Sequence, residues 1–154
     1  MTRLRERSIR VRHLKRLWQA DQRCHWCRQV TRLPPSPLYG SAGITADRCL
    51  PLATVDHLYS RLHPLRDLDG PSTAHTVLAC KACNAARCRQ ENLLFRDFLR
   101  GMAALGWMPA TNRLKVRAFR EALARCGGLE RFPDGIDGKW LAGQLEEQVQ
   151  AQYE

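Results

Sequence analysis

The sequence predicts an α+β protein in which two short strands and several helices surround a metal site, and three observations lead to this prediction. Two CxxC pairs, Cys24–Cys27 and Cys80–Cys83, have the spacing of metal ligands. Residues 54–59 and 75–79 alternate β-branched or aromatic side chains with other types, as short strands do. Apolar residues after the second pair recur every three or four positions, which indicates a long helix.

The expected elements follow from these periodicities and from the residues that interrupt them. Helices are expected over residues 8–22, 84–105, 111–126 and 138–152. Gly106 and Pro109 end the second of these, and Gly127-Gly128 end the third. Residues 32–53 are rich in proline and glycine, so they are expected to form an irregular loop or insertion.

The distribution of charge indicates a polyanionic partner. The chain has 154 residues and carries 25 Lys and Arg against 15 Asp and Glu, a net charge of +10. Residues 1–32 carry +8 of this excess and residues 80–105 carry +3, whereas residues 106–154 are neutral. A concentrated basic surface attracts nucleic acid, and DNA is the expected partner. A merely solvated basic face is the alternative.

The sequence also bounds where the protein acts. No apolar run approaches the roughly 18 residues of a membrane span, so a transmembrane protein is not expected. The basic N-terminal stretch has no continuous apolar core and does not resemble a secretory signal. We therefore expect a cytoplasmic protein in a reducing compartment, where its seven cysteines stay free of disulfides.

Three segments are expected along the chain. Residues 1–23 form a basic N-terminal helical segment, and residues 24–105 form a core that contains both CxxC pairs and the long helix. Residues 106–154 form a helical C-terminal extension. Because this extension is charge-balanced, its helices are candidates for core packing, for a lid or for a homodimer surface.

The four paired cysteines predict a structural zinc site. A CxxC turn grips one ion from one side, and two such turns complete a tetrahedral shell of four thiolates, which suits Zn²⁺. Each pair alone could instead be a redox pair or two buried apolar cysteines. The intervening 52 residues exceed what a simple zinc ribbon needs, so an inserted structure is expected there. Cys49, Cys88 and Cys126 are expected to be core residues or incidental thiols.

The insertion contains Asp56-His57 at a strand end, and the second CxxC pair continues into Asn84 and Arg87 at the start of a helix. This ordered combination resembles the zinc-knuckle branch of the HNH endonuclease family, over about residues 14–90. The resemblance implies a ββα-metal core, in which two strands and a helix are held by a zinc knuckle of four cysteines and flanked by the N- and C-terminal helices.

The resemblance also implies roles for individual residues. Asp56 and Asn84 correspond to the ligands of a catalytic divalent metal, Mg²⁺ or Mn²⁺, and His57 corresponds to the general base. His75 stands where the family has an asparagine, and bracing the loop of the base is favoured over metal binding for its imidazole. Arg87 stands where the family has a lysine, and either cation can contact phosphate. The implied activity is DNA cleavage that leaves 5′-phosphate and 3′-hydroxyl ends.

Basic residues that flank the knuckle are the candidates for phosphate contacts, namely Arg12, Lys15, Arg16, Arg23, Arg28 and Arg87. The alternative function is a non-catalytic zinc module that binds nucleic acid, in which Asp56 and His57 are structural. Sequence specificity, nicking as opposed to double-strand cleavage, and the biological role stay open. Restriction, homing, phage packaging and mobile elements all use the motif.

Overall fold

The computed structural model describes residues 3–37, 39, 48–126 and 137–153, and within them it combines helices with a two-stranded antiparallel sheet. The predicted α+β class is thereby confirmed. The elements in chain order are α1 (Arg3–Ala20), β1 (Ala53–His57), β2 (Thr76–Cys80), α2 (Lys81–Ala104), α3 (Asn112–Arg125), α4 (Gly138–Ala142) and α5 (Glu147–Gln150). No helix among the described residues combines the length and apolar character that crossing a membrane requires.

The chain divides into two compact units, each made of two separate stretches of sequence. The first comprises residues 1–58 and 70–87, and the second comprises residues 59–69 and 88–154. The helix α2 therefore begins in the first unit and continues into the second. The boundaries of these units differ from those of the three segments expected at 1–23, 24–105 and 106–154, because the N-terminal helix belongs to the same unit as the strands.

The first unit is built on the hairpin-like pairing of β1 with β2. Ala53 pairs with Cys80 and His57 pairs with Thr76, so the end of β1 lies beside the start of β2. Leu14 of α1 is buried with Leu78 of β2 in one small core, to which the apolar stripe of α1 contributes. The predicted stripe of that helix was correct, although α1 begins five residues earlier than expected, at Arg3.

The second unit has a larger apolar core. Its buried side chains come from α2, α3, α4, α5 and the segments that follow α4 and α5, and they include Phe98, Met102, Phe119, Leu123, Leu141, Leu145, Val149 and Tyr153. Thr111 caps α3 by accepting a hydrogen bond from the Leu114 amide at 3.2 Å. Arg120 of α3 donates to the carbonyls of Pro64 and Arg66, which ties the stretch 59–69 to this unit.

Other expected element boundaries also differ in the structure. The single helix expected over 138–152 is two short helices, α4 and α5, with residues 143–146 between them. Leu141, Leu145 and Val149, which are spaced as on one face of a helix, are nevertheless buried. The helix α2 begins at Lys81 rather than at residue 84. The expected stop at Gly127-Gly128 lies outside the described residues.

Candidate zinc centre and candidate active site

The sulfur atoms of Cys24, Cys27, Cys80 and Cys83 all lie within 4.8 Å of one another. In a tetrahedral zinc site with bonds of about 2.3 Å, the sulfur atoms are separated by about 3.8 Å, so a contraction of about 1 Å or less converts this cluster into such a site. These four residues are the candidates predicted from the CxxC spacing. The cluster can hold a metal such as zinc.

Backbone hydrogen bonds hold the first CxxC turn in shape. The amide of Cys24 donates to the carbonyl of Gln29 at 2.8 Å, and the amide of Arg28 donates to the carbonyl of Cys24 at 2.9 Å. Arg28 closes the turn with a φ of 64°, in the left-handed region. The amide of His25 donates to the carbonyl of Leu78 at 2.8 Å, which fastens this turn to β2.

The local environment prepares one thiol for ionisation and disfavours ionisation of another. Burial raises the pKa of Cys24, but hydrogen bonds from the backbone at Cys27, Cys80 and Trp26 outweigh it and bring the pKa to about 7. Burial, followed by the neighbouring thiols, raises the pKa of Cys83 well above its ordinary value. A bound cation offsets such repulsion between thiolates, so the donor chemistry fits Zn²⁺.

Asp56 lies near the end of β1 and is buried, with 8% of its surface exposed. Its Oδ2 accepts a hydrogen bond from Nε1 of Trp26 at 2.9 Å. The same oxygen is paired with Nη1 of Arg87. Asp56 therefore stands in a charge-assisted pair, not as an isolated carboxylate.

The guanidinium of Arg87 is fastened to the end of β1 at several points. Besides its pairing with Asp56, it donates to the carbonyls of His57 and Leu58, at 3.3 Å each. Its guanidinium carbon lies 3.7 Å from the centre of the Trp26 ring, in cation–π geometry. Arg87, the candidate phosphate contact, is thus bound to Asp56, the candidate metal ligand.

The ring of His57 has a defined tautomer in its neutral form. Its Nε2 lies 2.9 Å from the carbonyl oxygen of Ser72. A carbonyl only accepts, so Nε2 carries the proton and Nδ1 carries the lone pair. The side chain of His57 therefore has its basic nitrogen on the opposite edge of the ring from the bond to Ser72.

His75 precedes β2 with a φ of 51°, the left-handed conformation. Its backbone carbonyl accepts from the amide of Leu58 at 2.8 Å. This bond and the bond from His57 to Ser72 both attach the end of β1 to the turn before β2. His75 thus contacts this region through its backbone, and the bracing expected of its imidazole stays a prediction.

Asn84 lies in the first turn of α2 and connects that helix to β1. Its Nδ2 lies 3.2 Å from Oγ1 of Thr54 and 3.3 Å from the carbonyl oxygen of Val55. The carbonyl accepts, so the amide nitrogen faces the strand. Asn84 is therefore held beside the residue that precedes Asp56.

A third histidine, His13 of α1, belongs to the same region, although a histidine on a basic helix is expected to lie on the surface. It is partly buried, and its Nε2 lies 2.7 Å from Oγ1 of Thr76. Burial, followed by the charges of Arg16 and His57, lowers its pKa. Sequence reasoning missed it because the contact joins residues 63 positions apart, and a histidine on a basic helix carries no local signal for it.

The other candidate phosphate contacts lie on the exterior of the first unit. Arg12, Arg16, Arg23 and Arg28 are exposed and Lys15 is half-buried. Arg28 pairs with Asp21 at 3.5 Å, and both side chains are exposed, so this pair contributes little to stability. Arg16 is near enough to His13 to lower its pKa, which places positive charge beside the histidines.

No family model, no curated protein and no solved structure matched the chain.

Proposed function

We propose that the protein is a metal-dependent DNA endonuclease of the HNH type, with a ββα-metal core and a structural Zn²⁺ on Cys24, Cys27, Cys80 and Cys83. One observation carries the proposal. The strand end that bears Asp56 and His57 is paired with the strand that leads through the cysteine cluster into α2, and the first turn of α2 holds Asn84 against β1.

The geometry of His57 supports its role as general base. The carbonyl of Ser72 fixes the Nε2–H tautomer, so Nδ1 is the nitrogen that takes a proton from the attacking water. In-line attack on the phosphorus then leaves 5′-phosphate and 3′-hydroxyl ends. The attachment of Leu58 to the carbonyl of His75 holds the base in place.

The donor types of Asp56 and Asn84, a carboxylate and an amide oxygen, suit Mg²⁺ or Mn²⁺. When bound, such a cation neutralises charge on the phosphate and stabilises the leaving oxygen. In the arrangement described, Arg87 already balances the charge of Asp56. The pairing engages Oδ2 of Asp56, the oxygen that also accepts the hydrogen bond from Trp26.

The basic residues support DNA as the substrate. Arg12 and Arg16 are exposed on α1, and His13 of the same helix contacts β2 beside His57. A phosphate backbone that approaches the base therefore meets positive charge from α1. The exposed C-terminal part of the first CxxC turn adds Arg28.

A non-catalytic zinc module that binds nucleic acid is the second candidate. The observation that favours it is that Asp56 already has partners within the protein, a hydrogen bond from Trp26 and an ion pair with Arg87. A buried carboxylate paired in this way has a sufficient structural reason to be present. In this function the basic surface binds phosphates and His57 has no chemical task.

Cleavage of supercoiled plasmid, with Mg²⁺ or Mn²⁺ added to the zinc-loaded protein, tests the proposal. His57→Ala should lower the cleavage rate by about 10²–10⁴-fold and leave DNA binding, measured by fluorescence anisotropy, nearly unchanged. His25→Ala, which removes an exposed histidine of the knuckle, is the matched control and should retain activity. DNA binding by the wild-type chain without cleavage under either metal would favour the non-catalytic module.

A further inference from the structure

The contacts of Arg87 place one cationic side chain on an oxygen of Asp56, the candidate ligand of a divalent cation. Its Nη1 is paired with Oδ2 of Asp56, the oxygen that also accepts from Trp26. The side chains of Arg87 and Asp56 are 21% and 11% exposed, so little water screens the charges. A second cation approaching this oxygen is therefore repelled by the guanidinium.

We infer that Arg87 is an internal competitor of the catalytic metal, released from Asp56 by a DNA phosphate. The inference rests on the proposed function and adds a regulation of the same site. In the protein without DNA, Arg87 forms an ion pair with Asp56. When a phosphodiester binds, Arg87 moves to the phosphate, and the carboxylate then accepts the divalent cation.

The exchange leaves neither the carboxylate nor the guanidinium without an ionic partner. Before it, the carboxylate pairs with the guanidinium, while the metal and the phosphate are solvated. After it, the carboxylate pairs with the metal and the guanidinium with the phosphate. A guanidinium forms bidentate hydrogen bonds with phosphate as readily as with carboxylate, so the phosphate replaces the contact that Arg87 loses with Asp56.

Two further hydrogen bonds of Arg87 are weak enough to permit this movement. Its bonds to the carbonyls of His57 and Leu58 are 3.3 Å long, at the weak end of the range. The guanidinium also lies over the Trp26 ring, 3.7 Å from its centre. Asp56 keeps the hydrogen bond from Trp26 throughout, so its carboxylate stays oriented after Arg87 leaves.

The first test measures Mn²⁺ affinity of the zinc-loaded full chain without DNA, by the electron paramagnetic resonance signal of free Mn²⁺. Arg87→Gln should bind Mn²⁺ at least tenfold more tightly than wild type, whereas Arg87→Lys should not. Arg89→Gln removes the same charge from an exposed position of the same helix and should stay within twofold of wild type. Asp56→Asn combined with Arg87→Gln should abolish the gain. An Arg87→Gln affinity within twofold of wild type would overturn the inference.

The second test needs no variant that loses the ion pair. In the wild-type chain, a short DNA duplex with uncleavable phosphorothioate linkages should tighten Mn²⁺ binding at least tenfold, and Mn²⁺ should tighten duplex binding by the same factor because linkage is reciprocal. A factor below threefold would overturn the inference even if Arg87→Gln does not fold.

Failure of this inference can be distinguished from failure of the proposed function. Plasmid cleavage that depends on Asp56 and His57, together with Mn²⁺ binding that does not change in Arg87→Gln, would support the endonuclease function and refute the competition by Arg87. Absence of both Mn²⁺ binding and cleavage, in wild type and in Arg87→Gln, would refute the proposed function and this inference together.

Discussion

Nε2 of His13 on α1 donates a hydrogen bond to Oγ1 of Thr76 on β2, at 2.7 Å. The direction follows from Thr76, whose single hydroxyl proton goes to the carbonyl of Thr73 at 2.9 Å. Thr76 pairs across the sheet with His57, so the N-terminal helix is joined to the strand position opposite the candidate base. Nδ1 of His13 is buried and has no hydrogen-bond partner among the described residues.

This arrangement predicts an acid sensitivity carried by His13. The folded protein lowers the pKa of His13, so the unfolded chain takes up its proton at higher pH than the folded chain. The full contribution is present above the unfolded pKa of about 6.5, and stability is lost as pH falls through that value towards the lowered folded pKa. His13→Gln should therefore lose less stability than wild type between about pH 7.5 and pH 5.5, measured by urea unfolding.

Thr76→Val separates the causes of this effect. It removes the hydrogen bond from His13 and leaves the burial of the ring, which is the largest cause of the lowered pKa. Thr76→Val should thus be less stable than wild type at neutral pH and should retain the acid sensitivity. Equal pH dependence of wild type and His13→Gln would contradict the assignment.

Removal of one cysteine ligand should destabilise the first unit. Cys80→Ser eliminates a buried member of the cluster, and folding that is coupled to zinc binding should lose roughly several kcal/mol. We expect a lower melting temperature and less than one Zn²⁺ per chain by elemental analysis. Cys88→Ser, at an exposed thiol outside the cluster, is the matched control and should retain both. Absence of zinc from freshly purified folded protein would rule out the metal site.

The left-handed conformation of His75 predicts a strict preference at this position. Asparagine adopts this conformation with little strain, whereas a β-branched residue is disfavoured by about 1–2 kcal/mol. His75→Asn should therefore unfold near the wild-type urea midpoint, and His75→Val should unfold at a clearly lower concentration. Equal midpoints for the two variants would show that the backbone at 75 relaxes without cost.

The second unit offers a test of close helix packing at Gly138. A Cβ at this position would overlap the backbone at Asp97 and Phe98 of α2, which cannot move as a flexible side chain can. Gly138→Ala should thus cost about 3 kcal/mol in the free energy of unfolding. Gly143→Ala is the control because its nearest neighbour, the carbonyl oxygen of Trp140, would lie 3.3 Å away. A Gly138→Ala variant as stable as Gly143→Ala would contradict the packing.

The sequence predicted the elements and residues whose signals are local. The strands expected at 54–59 and 75–79 are found at Ala53–His57 and Thr76–Cys80, because alternation is a property of neighbouring residues. The cysteine cluster followed from ligand spacing. The break between α4 and α5 was missed because buried residues at 141, 145 and 149 match a continuous helical stripe equally well.

The contacts that the sequence did not predict join distant positions. The pairing of Asp56 with Arg87 spans 31 residues, and that of His13 with Thr76 spans 63. Both residue types are ordinary where they stand, since an arginine on a helix and a histidine among basic residues usually face solvent. Only the tertiary arrangement of α1, β1 and α2 within the first unit reveals them.

The separation of the two cysteine pairs has a consequence for how the protein is made. Cys80 follows Cys27 by 53 positions, so the first pair leaves the ribosome roughly 3–10 s before the second at ordinary rates of synthesis. During that interval the nascent chain presents two thiols that cannot yet share a four-thiolate site. Oxidation of the first pair, or its capture of a wrong metal, would make these thiols unavailable to zinc before β2 has been synthesised. The yield of correctly metallated protein should therefore depend on the redox state and the zinc supply during translation.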